Sequence, residues 1–194
     1  MSLLNCEMNV IISDWIGDNH VEFSPTHLSI RSNLDDGMEA GILLLNSSKL
    51  VYRSPYRVSN YERQVLREIV QELKGQGVIR DSCSDYSSPV LLVSKKTGDK
   101  RMVIDYRHLN SQTIKDKYPL PCTDFIERFS GFSLFFILDA CQGFSQIPMD
   151  EESSRKAAFT TPDGHYEPIR LFFGLSNGPP VCQRAMSLSL GYLL

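Results

Sequence analysis

The sequence is poor in the features that mark several large protein classes. No window approaches the roughly 18 uninterrupted apolar residues of a membrane helix. The N-terminus has no basic start, and Glu7 and Asp14 bracket only the short run Val10-Ile11-Ile12, so no signal peptide is legible. Cysteine is sparse: Cys6, Cys83, Cys122, Cys141 and Cys182 make an odd set without a C-x-x-C pair. That spacing excludes a disulfide framework and a zinc knuckle and points to reduced thiols. His20, His27, His108 and His165 are too dispersed for a metal cluster. An intracellular protein, outside any membrane, is the expectation.

What is present fits a globular chain of 194 residues, 42% hydrophobic and 22% charged. The net charge of -3 hides an asymmetry, since residues 1–50 carry -5 and residues 51–194 carry +2. Residues 95–117 hold seven bases against three acids. Such a stretch suits contact with phosphate, or is a solvated hairpin.

The apolar runs at Val10–Ile12 and Leu28–Ile30 suggest two strands around a turn at Gly17-Asp18-Asn19. Residues 31–51 mix Ser, Asn, Asp and Gly and read as a poorly ordered linker, with the main domain starting near Tyr52. Ser59 and Glu62 form an S-x-x-E capping box. Val65, Leu66, Ile69, Val70 and Leu73 follow at helical spacing, and Gly75 and Gly77 end the helix. Pro89–Val93 and Arg101–Tyr106 read as paired strands turning at Thr97-Gly98-Asp99, which gathers Lys95, Lys96, Lys100 and Arg101 at one tip. A short helix is expected from Thr123-Asp124 to Phe129, and a buried strand over Leu134–Leu138. Gln146–Met149 reads as an edge strand because Pro148 cannot donate to a ladder. Ala157–Thr161 and Tyr166–Leu171 read as a hairpin, followed by a helix from Pro179 towards Leu190. The fold class is α+β.

Asp139 stands out because it directly follows the buried strand, where a rigid element delivers a carboxylate to the sheet rim. A turn-forming aspartate before Cys141-Gln142-Gly143 fits the same spacing. A magnesium ion in phosphoryl transfer wants two or more carboxylates, so Asp139 alone is half a site.

An ordered set of motifs carries a resemblance. Ser88-Pro89-Val90, Lys95-Lys96-x-Gly98, Arg101-x-x-Ile104-Asp105-Tyr106-Arg107-x-Leu109-Asn110 and Tyr118-Pro119-Leu120-Pro121 come first. Leu138-Asp139-x-x-x-Gly143-Phe144-x-Gln146-Ile147, Ala158-Phe159-Thr160, Phe173-Gly174-Leu175-x-Asn177 and Gln183-Arg184 follow. Over residues 52–194 the chain resembles the reverse transcriptase of gypsy-type long-terminal-repeat retrotransposons and retroviruses. The resemblance implies the fingers and part of the palm of a right-hand polymerase, copying RNA or DNA template-primer from deoxynucleoside triphosphates with Mg2+ or Mn2+. It implies that Lys96 (or Lys95) and Arg101 meet the incoming triphosphate. It makes Asp139 the first metal-binding aspartate and Phe144 the aromatic gate under the sugar, with Phe173 and Gly174 beside the nucleotide pocket.

The departures shape the expectation of function. The family's Tyr-x-Asp-Asp motif, which supplies two further aspartates, does not occur in the sequence. A chain truncated before that hairpin is expected to be inactive by itself. Lys100 stands for a usual tryptophan, Phe172 for a usual proline, and Gly178-Pro179-Pro180-Val181-Cys182 for Ala-Pro-x-x-Phe, changes expected to loosen the last helix. Residues 1–30 resemble, in degraded form, the C-terminal end of a retroviral-type aspartic protease, through Asn9–Trp15 and Val21–Pro25. Without Asp-Thr-Gly or Asp-Ser-Gly, no protease activity is expected. The alternatives to a polymerase fragment are a nucleic-acid-binding remnant acting through Lys95, Lys96, Lys100 and Arg101, or a module that self-associates through exposed palm surface.

Overall fold

The computed structural model describes residues 9–12, 38–94, 98, 100–120, 136–139 and 142–190. For 9–12, 136–139 and 190 the backbone alone is described. In chain order the elements are β1 (Asn9–Ile12), α1 (Asn60–Gly75), β2 (Ile79–Asp81), β3 (Ser88–Ser94), β4 (Lys100–Ile104) and α2 (Arg107–Gln112). They continue with β5 (Phe136–Asp139), α3 (Gly143–Gln146), α4 (Glu151–Lys156), β6 (Phe159–Thr161), β7 (Gly164–Pro168) and α5 (Gly178–Leu190). Among the described residues no helix is long and apolar enough to cross a membrane.

The helix α1 forms where the capping box lies. The Ser59 hydroxyl accepts from the Glu62 amide at 3.2 Å, and the Glu62 carboxylate accepts from the Ser59 amide at 3.1 Å. Both donors would otherwise lack a partner in the first turn. Its apolar stripe, Leu66, Ile69, Val70 and Leu73, is buried.

Five strands form one mixed sheet in the order β2-β7-β6-β3-β4. β3 and β4 pair antiparallel with Val93 opposite Arg101, which puts Arg101 near the outer end of the hairpin. β3 runs parallel to β6, joining that hairpin to the β6–β7 hairpin. A separate antiparallel pair joins β1 to β5, with Asn9 opposite Asp139.

The core includes Leu66, Ile69, Val70, Val90, Ile104, Tyr106, Leu109, Ile147, Phe159, Phe172 and Met186. Tyr106 is 1% exposed, and its hydroxyl donates to the Ala157 carbonyl at 2.7 Å, so burial leaves it satisfied.

Several expectations change. The described part of the stretch read as a linker, residues 38–51, packs: Ala40, Ile42 and Val51 are buried. The Ile42 amide donates to Ser153 Oγ, and Ala40 bridges Met149 in parallel. Its apolar residues find a tertiary partner in α4 that local composition does not reveal. The strand expected over Gln146–Met149 is instead the end of a helical turn, with Pro148 and Met149 making isolated bridges to Arg170 and Ala40. The second hairpin strand is shorter than expected, Gly164–Pro168, and only Arg170 beyond it makes a bridge. The last helix is not loosened. Pro179 and Pro180 lie in its first turn, where an amide has no helical acceptor, and Val181, Cys182, Ala185 and Met186 are buried. The helix expected over 123–129, the strand near Leu28–Ile30 and the turn residues Lys95 and Lys96 lie outside the described residues.

Candidate nucleotide site

At the β4 edge of the sheet, Arg101 is exposed and its guanidinium carbon lies 5.6 Å from the centroid of the Phe173 ring. Phe173 packs against Phe144 with centroids 4.7 Å apart and planes tilted 37°. Phe144 is buried at 7% exposure. A cation on an aromatic face is held in direction while its N–H edge stays available to an anion. Among the described residues Arg101 has no carboxylate partner.

The loop carrying Phe173 is positioned by α2. The Asn110 side chain donates to the Gly174 carbonyl at 2.7 Å and accepts from the Ser176 amide at 2.9 Å. Gly174 has φ +95°, and a β-carbon there would sit 3.5 Å from the Tyr106 ring. The left-handed backbone, more than crowding, calls for glycine. Asn177 continues the tie, accepting from the Asp116 amide at 3.1 Å and donating to the Ile114 carbonyl at 2.9 Å. Arg184 from α5 then pairs with Asp116 at 2.8 Å and lies over Tyr118 at 4.7 Å.

Asp105, directly after β4, does not serve this corner. Arg107 grips it at 2.7 Å, and Tyr56 donates to it at 2.9 Å. The Arg107 hydrogen bonds, with a smaller contribution from Tyr56, hold its carboxyl well below the usual carboxylate range. With Asp105 neutralised by Arg107, Arg101 meets no competing local anion from it.

Of the residues singled out in the sequence, the structure brings together Arg101, Phe144, Phe173 and Gly174. Asp139 ends β5 with its backbone opposite Asn9, and its side chain is outside the description, as is Lys96. Asn110 and Asn177 were missed as site residues, although both fall in the quoted motifs. An asparagine whose amide must face two backbone groups gives no local signal beyond its identity.

Among the described residues no group of three His, Cys, Asp or Glu side chains is placed to hold a metal ion.

The fold and this corner define an α+β domain with an exposed, aromatic-backed cation at one edge of its mixed sheet. The comparisons sharpen that class. A family model described as reverse transcriptase (RNA-dependent DNA polymerase) matches residues 93–192. The retrovirus-related Pol polyprotein from transposon 297 of Drosophila melanogaster is 42% identical over 150 residues, covering 74% of this chain and 14% of that protein. Its counterpart from transposon opus is 44% identical over 136 residues, covering 67% of the chain and 13% of that protein. The enzymatic polyprotein of figwort mosaic virus (strain DxS) is 35% identical over 158 residues, covering 79% and 24%.

The chain belongs to the reverse transcriptase family, as a domain homologous to that of retrotransposon and caulimovirus polyproteins. It spans less than a quarter of the length of these relatives. The family is one of RNA-directed DNA polymerases, generally dependent on a divalent metal, and acts on template-primer and deoxynucleoside triphosphates.

Proposed function

We propose that residues 52–194 are the fingers and part of the palm of a gypsy-type reverse transcriptase, and that the Arg101–Phe173–Phe144 corner receives the incoming deoxynucleoside triphosphate. The supporting observation is the exposed Arg101 guanidinium, held over Phe173 without a carboxylate partner among the described residues. Arginine in this setting offers a fork of donors to phosphate oxygens. By the family resemblance Lys96 (or Lys95) adds a second positive charge. Phe144 forms a wall under the sugar, where a ring leaves no room for a ribose 2′-hydroxyl. Asp139 is the ligand for Mg2+ or Mn2+, and further carboxylates are needed before nucleotidyl transfer can occur.

Residues 1–30 correspond to the tail of a retroviral-type protease and 31–51 to the connection between the two. The setting is intracellular, with the nucleic acid template-primer as partner. Self-association through exposed palm surface is part of the same proposal, and light scattering reads it directly.

The test is equilibrium binding of dGTP with Mg2+ to the 194-residue chain, beside primer extension. Expected are measurable dGTP binding, its loss by roughly tenfold or more in Arg101→Ala as charged hydrogen bonds disappear, and no extension. Binding unchanged by Arg101→Ala would refute the nucleotide-site reading. Template-dependent incorporation that vanishes in Asp139→Asn would overturn the inactivity.

A second reading, a nucleic-acid-binding remnant, rests on the basic stretch 95–117. It requires binding of a single-stranded oligonucleotide that weakens steeply with salt.

A further inference from the structure

The polar side chains at the end of α2 divide by what they bind. The Ser111 and Thr113 hydroxyls return to the backbone of the same stretch, donating to the His108 carbonyl at 2.8 Å and the Leu109 carbonyl at 2.9 Å. Such bonds are local. Asn110 instead spends both ends of its amide on a loop more than sixty positions away, Nδ2 donating to the Gly174 carbonyl at 2.7 Å and Oδ1 accepting from the Ser176 amide at 2.9 Å. The loop's own polar side chain does not hold it, because the buried Ser176 hydroxyl has no hydrogen-bond partner among the described residues. Asparagine alone offers a donor and an acceptor on so short a stem: a carboxylate lacks the donor, and glutamine carries the pair one carbon further out.

The support behind Asn110 is fixed. Leu109 is fully buried, and Tyr106 is anchored through its hydroxyl to the Ala157 carbonyl. The Asn110 amide donates to the Tyr106 carbonyl at 2.7 Å. The same stretch of chain runs back through Asp105 into β4 and Arg101. One continuous segment, Arg101–Asn110, therefore supplies both the exposed cation and the tie on the loop that carries the ring beneath it. Phe173 directly precedes Gly174, whose backbone at φ +95° is open to conformations other residues avoid. Bonds from outside the loop must then set the direction of Phe173, and with it the shelf on which the Arg101 guanidinium lies, 5.6 Å from the ring centroid.

The geometry points to Asn110 as a positioning residue for triphosphate binding: it seats the Phe173 loop, and through that ring it directs Arg101 without itself touching the nucleotide. This role rests on the assignment of the Arg101–Phe173 corner to the incoming triphosphate. A neutral side chain of similar size at position 110 leaves the Gly174 carbonyl and the Ser176 amide without their partner, and Phe173 loses its fixed direction.

The experiment measures the dissociation constant of dGTP with Mg2+ for the 194-residue chain, Asn110→Leu, Phe173→Leu, the double variant and Arg101→Ala. Hydrogen exchange of the Ser176 amide and thermal unfolding are followed on the same proteins. Asn110→Leu is expected to speed exchange at Ser176 and to weaken dGTP binding by roughly threefold to tenfold, the scale of one hydrogen bond. In the Phe173→Leu background it should weaken binding no further, because the ring that transmits the effect is gone. A role confined to stability would move the melting temperature and leave this coupling at zero.

Faster exchange at Ser176 with dGTP affinity unchanged overturns the role of Asn110 and leaves the corner standing. An equal loss of affinity in the Phe173→Leu background does the same. Affinity unmoved by Arg101→Ala, or the absence of any dGTP binding, overturns the corner and the role of Asn110 with it. Should Asn110→Leu not fold, Asn110→Gln carries the test, since it keeps both groups and displaces them: weaker dGTP binding is expected, and unchanged binding overturns the role.

Discussion

At the β2 edge of the five-stranded sheet, cations are spent on acids. Arg80 reaches Glu167 at 2.7 Å and Glu151 at 2.6 Å, and Lys74 meets Asp81 at 2.7 Å. In the adjacent β6–β7 turn, Asp163 takes Arg63 at 2.5 Å and Arg67 at 2.8 Å. The Arg80–Glu151 pair fastens α4 to β2, and the Arg63 and Arg67 pairs fasten α1 to the β6–β7 turn, across long separations in sequence. At the β4 edge, Arg101 lies on an aromatic ring, and Asp105, at the exit of the same strand, is held by Arg107. One edge uses charge for attachment, and the other keeps a cation directed and available. The difference teaches that a basic residue's use depends on which acids the fold brings within reach, and local net charge does not report it.

Mutations can break this comparison, beginning with the core that both edges share. Phe159 is fully buried, with ring neighbours Tyr166 at 5.8 Å and Phe172 at 6.2 Å. Phe159→Ala should cost about 3–5 kcal/mol in chemical denaturation, because the site cannot collapse around the lost ring. At the β2 edge, Glu167→Ala should cost about 1–3 kcal/mol by the same assay, since Arg80 and Ser82 both lose a buried acceptor. A change below the assay's error there would deny the ties a structural role.

Removing a helix cap comes next. Ser59→Ala should cost about 1 kcal/mol by the same assay and leave ligand binding alone.

Acid unfolding tests the ties at the β6–β7 turn. The hydrogen bonds from Arg63, with those from Arg67, hold the Asp163 carboxyl well below its usual range. A folded-state pKa depressed in this way contributes stability that is present above the unfolded value near about 4 and lost as pH falls towards the folded value. The chain should therefore lose melting temperature as pH drops below about 4, and Asp163→Asn should flatten that dependence. An unchanged slope in the variant would remove Asp163 from the account.

The smallest stability effect belongs to the β4 edge, where Arg101→Ala should change stability by no more than about 0.5 kcal/mol. A larger loss would make Arg101 a structural residue and erase the contrast.

How much of this was legible varies with the range of the interaction. The α1 helix was readable because its cap and its apolar stripe are local, with Ser59 and Glu62 three residues apart. The β3–β4 hairpin was readable for the same reason. The strand expected at Gln146–Met149 failed because a short apolar run fits a helical turn equally well. The supposed linker failed because Ile42 is held by Ser153 and Lys156, more than a hundred positions away. Within the site, Arg101, Phe144, Phe173 and Gly174 could be named from ordered motifs, whereas Asn110 and Asn177 could not be given a role.

The sequence by itself determined the family, the α1 helix, the β3–β4 hairpin that carries Arg101, and the residue types that meet at its aromatic corner. Those follow from local periodicity, capping and motif order, which short stretches of chain specify. Only the tertiary structure decided that Arg101 rests on Phe173 while Arg107 is committed to Asp105, and that Asn110 holds the loop beside Phe173. The physical reason is that ion pairing, hydrogen bonding and van der Waals contact act over a few ångströms in space, between residues whose separation along the chain carries no trace of their meeting.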